Sequence, residues 1–267
     1  ITTLILLLGA VCIWFFYSLF WGRPWSVNLL YVRTFLKFAL DDPELLTTLG
    51  ILEKLGIHFH NAKLSDISIT HETRMIQRIK KDLDYLRSYN RTKMSRVQRL
   101  STEILEWFLE NQAVRYEPFR FHNYPLNQMF GIQSQLPNFM MTIHPLVNAI
   151  EADHYVKRLR LFGKRFDQVM ENLLIREQKG VIPPRFVIRH VVNEMTAFTN
   201  GPANQNPLYT VFADKTAKIK KLTPAARLRL LERVAWEIEN TVYPAYRKVI
   251  DYLKSLEGKA TTDDGVW

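Results

Sequence analysis

From Ile1 to Gly22 the chain has no Asp, Glu, Lys, Arg or His, and its only ionisable side chains there are Cys12 and Tyr17. No other stretch restricts the fold as strongly. As a helix rising ~1.5 Å per residue it would reach roughly 30 Å, the thickness of a hydrocarbon core. Leu4 and Leu8 lie in its first half, Trp14, Phe16, Phe20 and Trp21 in its second, and Arg23 marks the exit. Aromatic rings at that end suit a headgroup layer. A cleaved signal peptide would place small residues where these aromatics stand, and a lipoprotein signal needs a small residue before its cysteine, whereas Val11 precedes Cys12. The expectation is a single-pass transmembrane anchor over 1–22 with the lipid bilayer as a partner.

A juxtamembrane helix over 23–40 and a soluble multi-helix body over 41–267 would follow. Lys and Arg exceed Asp and Glu by 10. The excess is spread over several helix faces, without a zinc-finger, helix-turn-helix or aromatic-glycine RNA signature, so no nucleic-acid partner is expected. Solvated helix faces account for the charges, and anionic lipid headgroups are a further outlet. One cysteine permits neither an internal disulfide nor a cysteine-based zinc site.

The body reads as all-α, because nothing alternates with period two while apolar residues recur at three and four. Thr70 can cap a helix with Met75, Ile76, Ile79, Leu83 and Leu86 on its inner face and Asp82 on its outer face. Ser95 starts a second, with Val97, Leu100, Ile104, Leu105 and Phe108 inward. A long helix runs from about Glu151 to Gly180 with Tyr155, Leu159, Phe162, Phe166 and Val169 buried. Pro183-Pro184 opens another. Thr223-Pro224 starts a helix that Pro244 should kink or divide. Residues 116–145 break the pattern with Pro118, Pro125, Pro137 and Pro145, and read as a long aromatic loop that packs down.

In that loop Tyr124-Pro125-Leu126-Asn127-Gln128, Gly131, Gln133, Leu136-Pro137-Asn138-Phe139 and His144-Pro145-Leu146 follow one another. Gly180-Val181-Ile182-Pro183-Pro184-Arg185, Asn206-Pro207-Leu208-Tyr209, Val242-Tyr243-Pro244-Ala245-Tyr246 and Asp263-Asp264-Gly265-Val266-Trp267 come after. The set, in this order, resembles the mostly bacterial domain of unknown function 885 family over about Leu40 to Trp267. The resemblance implies a helical, zinc-metallopeptidase-like protein whose HExxH site lies downstream of the Asp-Gly-Val-Trp block. The chain would then be the N-terminal part of a member, with zinc in a C-terminal portion and no cofactor of its own.

Within the chain, His71-Glu72 lacks the second histidine that a helical zinc site needs. His58-x-His60 reads as surface loop, and Glu151 and Asp153 as favourable first-turn acids, with His154 beside them. Tyr124, Asn127, Gln128, Asn138 and His144 are the candidate substrate or partner surface; no catalytic or metal-ligating residue is assigned. The expected function is a membrane-anchored helical portion of a peptidase-like protein, its body periplasmic. A non-catalytic accessory subunit of a membrane complex is the alternative.

Overall fold

The computed structural model describes residues 9, 11, 13, 14, 16–18 and 20–262. They are all-helical, as the periodicity predicts, and divide into two compact units. One joins the residues up to Asp41 to Thr70–Arg120; the other joins Asp42–Ile69 to the residues from Phe121 onward.

In the first unit the described residues from 9 to 20 are helical. The run stops there: the Trp21 and Gly22 amides both donate to the Tyr17 carbonyl at 2.9 Å, and Pro24 follows. The next helix, α1 (Val27–Asp41), carries Arg33 and Lys37. Among the described residues no helix is long and apolar enough to cross a membrane. The expected single-pass transmembrane anchor over 1–22, and the membrane reading built on it, are corrected on this finding. Of the residues assigned to it, Trp14, Phe16, Phe20 and Trp21 are exposed, and Leu4 and Leu8 lie outside the described residues.

Two further helices of this unit, α3 (Ile69–Arg87) and α4 (Arg96–Glu110), pack with α1 around Val27, Leu30, Leu83, Leu86 and Leu109. Asp42 starts the intervening α2 (Pro43–Leu49), which belongs to the second unit, by accepting from the Glu44 and Leu45 amides at 3.0 Å. Helix α3 begins one residue before Thr70, and its Asp82 turns inward to a buried ion pair with Arg33 at 2.7 Å. Ser95 caps α4 through a full capping box with Gln98. The face of α4 differs from expectation. Thr102 and Leu109 are buried and Leu105 half-buried, whereas Val97, Leu100, Ile104, Trp107 and Phe108 are exposed. The helix has two apolar arcs, and the core uses the smaller.

In the second unit the proline-rich segment contains a helix, α5 (Ile132–Thr142), with Pro137 inside it. Proline has no N–H to donate to the carbonyl four residues back, that of Gln133. The buried Tyr246 hydroxyl donates there instead, at 2.7 Å. The long helix expected over 151–180 is two, α6 (Ala149–Arg160) and α7 (Phe162–Gln178), interrupted at Leu161. Gly180 follows with φ +71°, a conformation open to glycine. Then come α8 (Arg185–Phe198), α9 (Pro207–Ala217, capped by Asn206), α10 (Pro224–Glu237, capped by Thr223) and α11 (Tyr243–Leu256). A π-helical turn, Ile238–Val242, separates α10 from α11. Its i→i+5 bonding interrupts the α-helical ladder just before Pro244, so the helix is divided as its sequence predicts. Helix α11 packs on α7 and α8, and α6 packs on α10 and on the 3-10 turn Phe59–Ala62. Tyr155, Phe162, Phe166, Phe212 and Tyr246 fill the core between them.

Candidate functional site

Two constructions in the second unit concentrate its polar chemistry. The first is the loop ahead of α5. Asn127 Oδ1 accepts from the amides of Met129 at 3.0 Å and Phe130 at 2.7 Å, while its Nδ2 donates to the Tyr124 carbonyl. Gln133 Nε2 closes the loop by donating to the Asn127 carbonyl at 2.7 Å and to Glu194 at 3.0 Å. A Cβ on Gly131 would stand 1.9 Å from Gln133 Oε1 and 2.6 Å from the Asn127 nitrogen, so glycine is required by space. The tip is left bare: Gln128 is exposed, with Met129 and Phe130 70% and 69% exposed. Tyr124 is buried beneath it, and that burial pushes its phenol far above the usual range.

The second is a buried network around Arg158. This guanidinium is fully buried. Its Nε donates to the Lys63 carbonyl at 2.8 Å, and its Nη2 to Thr47 Oγ1 at 2.6 Å and the His60 carbonyl at 3.2 Å. Its Nη1 donates to His144 Nδ1 at 2.8 Å. Burial lowers the guanidinium pKa to about 10, which leaves it a cation at neutral pH. Because Nδ1 of His144 accepts, Nε2 carries the proton and donates to the Glu151 carbonyl at 3.0 Å. Burial first and Arg158 second push this imidazole down to about 3. His144 is therefore a neutral strut.

Glu151 sits fully buried in the first turn of α6, its amide donating to the Asn148 cap at 2.9 Å. Its Oε1 accepts from His58 Nδ1 and from Asn61 Nδ2 at 3.2 Å. His154 Nδ1 lies 3.5 Å from its Oε2. Burial also lowers the His154 pKa, against the pull of Glu151. Asn61 bridges to Glu53, which His60 Nε2 meets at 2.8 Å. Burial raises the Glu53 carboxyl, but bonds from its own backbone, Asn61 and His60 outweigh it and hold the pKa below the usual range. Chemically this is a carboxylate that fixes the ring of a half-buried histidine, His58.

Residues 43–266 match the family described as bacterial protein of unknown function (DUF885). The chain belongs to the DUF885 family. A crystal structure described as that of the putative lipoprotein from Colwellia psychrerythraea has the same fold, with a TM-score of 0.80 at 20% identity. The match covers 89% of this chain and 42% of the Colwellia chain, so this chain spans less than half of that protein's length. No curated protein matches.

DUF885 residues singled out in the sequence fall in three places. Tyr124, Asn127 and Gln128 build the loop; His144 joins the Arg158 network; Asn138 is exposed on α5, its carbonyl bonded to Thr142. The His58–Glu151 contact was not visible in the sequence because it spans 93 positions. Its one trace was the His58-x-His60 spacing. The described residues do not fit a zinc ion. Among those described, no three His, Cys, Asp or Glu side chains gather where they could hold a metal. His71 instead lies 3.6 Å from Asp41, which Arg78 also binds, and Glu72 is paired with Arg120.

Proposed function

We propose that this chain is the helical framework of a larger DUF885 protein of peptidase-like activity, bracing a zinc-dependent part without contributing a metal ligand. The observation that carries this reading is the loop tip. Gln128, Met129 and Phe130 are exposed, yet Asn127, Gly131 and Gln133 fix the backbone beneath them. A loop held rigid with apolar side chains outward is suited to meeting another surface, here a substrate or a further part of the same protein. The more than twofold length of the Colwellia protein supports a further part, and its description as a lipoprotein supports a body outside the cytoplasm.

Zinc content and peptide hydrolysis, measured on this chain and on the longer protein encoded by its gene, test the proposal. The chain should fold, take up no stoichiometric zinc and hydrolyse nothing, while the longer protein does both. Stoichiometric zinc or hydrolysis in the chain itself would overturn the framework reading, and so would a gene that encodes no metal-ligating sequence downstream.

A further inference from the structure

Helix α4 carries an apolar stripe that its own unit does not use. Val97, Leu100, Ile104 and Trp107 are each between 57% and 73% exposed, while Thr102 and Leu109 on the same helix are buried. The spacings along the stripe are three, four and three residues. That alternation makes the narrow seam of a two-helix coiled coil, whereas a helix facing a globular core shows a wider apolar face. At about 3.6 residues per turn, Thr102 and Leu109 fall nearly opposite the seam. Helix α4 therefore packs on its own core with one face and presents the seam on the other.

The two flanks of the seam differ. Arg96, Arg99 and Glu103 lie on one flank, exposed and without an ion pair among the described residues. Ser101 and the exposed Phe108 lie on the other. The acidic side chains nearer the C-terminus are already held, Glu106 by Arg87 and Arg91, and Glu110 by Arg87 and Arg115.

Two copies of such a helix can pack seam to seam in two ways. A parallel twofold would press the charged flank of each on the Phe108 flank of the other. An antiparallel twofold sets charged flank against charged flank and Phe108 flank against Phe108 flank. The reversed direction then brings Arg96 and Arg99 of each copy towards Glu103 of the other. This arrangement is self-complementary, as a twofold interface has to be. Covering the seam and Phe108 would remove roughly 500 Å² per chain, or ~1,000 Å² for the pair, the lower bound for a specific association.

We propose that α4 is a self-association surface, on which two copies of this chain pair antiparallel through Val97, Leu100, Ile104 and Trp107. The proposal does not depend on the framework reading.

Sedimentation equilibrium of the full chain over about 1–200 µM tests it. The chain should dimerise with a dissociation constant of order 10 µM, in keeping with the modest area. Ile104→Glu should weaken the dimer at least ~100-fold, since each copy would bury an unpaired carboxylate. Ile104 is exposed in the single chain, so helical circular dichroism should not change. Arg96→Glu with Arg99→Glu, or Glu103→Arg alone, should weaken the dimer about 3- to 10-fold. An equal mixture of those two variants should form a heterodimer tighter than either homodimer. A chain monomeric throughout the range overturns the proposal. A dimer that Ile104→Glu leaves intact, or a mixture without preference for the heterodimer, overturns it as well. So does a longer protein, encoded by the gene, that is monomeric at the same concentrations, its own further part then covering the seam.

Discussion

Removing the Tyr246 hydroxyl should destabilise the second unit by an amount that depends on residue 137. Pro137 stands inside α5 and leaves the Gln133 carbonyl without its helical donor. Tyr246, fully buried, donates to that carbonyl at 2.7 Å, and Gln133 is itself only 3% exposed. Tyr246→Phe keeps the ring, which packs on Phe166 and Phe198 with centroids 4.5 and 4.8 Å away. What it removes is one hydrogen bond, and it strands a buried carbonyl. The cost should be about 1–3 kcal/mol. In a domain of this size each kcal/mol moves the melting temperature by about 2–4 °C.

Pro137→Ala restores an N–H aimed at the same carbonyl. In that background Tyr246→Phe should cost about 0.5–1 kcal/mol, because the carbonyl keeps one partner. Urea unfolding of the four proteins closes a double-mutant cycle, which cancels the effect of the proline on the unfolded chain. A coupling energy of about 0.5–2 kcal/mol is expected. If Tyr246→Phe costs the same in both backgrounds within about 0.3–0.5 kcal/mol, the two groups do not share the carbonyl and the reasoning fails.

Burial and Arg158 hold the folded His144 pKa at about 3, below the ~6.5 of an unfolded histidine. The neutral form is the one folding prefers, so stability is full above pH ~6.5 and falls as the pH drops towards 3. Between pH 7 and 5 this one group should remove about 2 kcal/mol. His144→Gln, which can still accept from Arg158 and donate to the Glu151 carbonyl, should flatten that slope in urea titrations; an unchanged slope would refute the assignment. Gly131→Ala should cost about 1–3 kcal/mol by overpacking, because its Cβ would meet the Asn127 backbone nitrogen at 2.6 Å. A melting temperature equal to that of the parent chain would show that the loop is not as tightly closed as described.

The helical class and several helix starts were legible because they depend on neighbours in sequence. Ser95 with Gln98, and Thr223 with Pro224, signal a helix within four residues. The inner face of α4 was not legible. Periodicity locates an apolar arc but does not say which way it points, and Leu100, Ile104 and Trp107 form an arc nearly opposite Thr102 and Leu109. Helix α5 was hidden because Pro137 normally ends a helix, and the compensating donor lies 113 positions away. The hydrophobic N-terminal run suggested a membrane span on composition. Among the described residues no helix is long and apolar enough to cross a membrane, and that finding ends the reading.

The described blocks that carry the family resemblance are far apart in the chain, yet hydrogen bonds join them in the second unit. Tyr246 of the Pro-Ala-Tyr block bonds the Gln133 carbonyl of the first block. Tyr243 of the same helix lies 3.4 Å from Asn206 Nδ2, and Asn206 caps α9 through the Leu208 amide at 2.9 Å. The Arg185 amide, after Pro183-Pro184, donates to the Thr261 carbonyl at 2.9 Å, just before the terminal block. Pro137 removes a backbone donor inside α5, and the side chain of Tyr246 from another block satisfies the carbonyl left over. A change in one block is therefore felt as an unsatisfied polar group in another. This coupling is what the Tyr246 and Pro137 cycle measures.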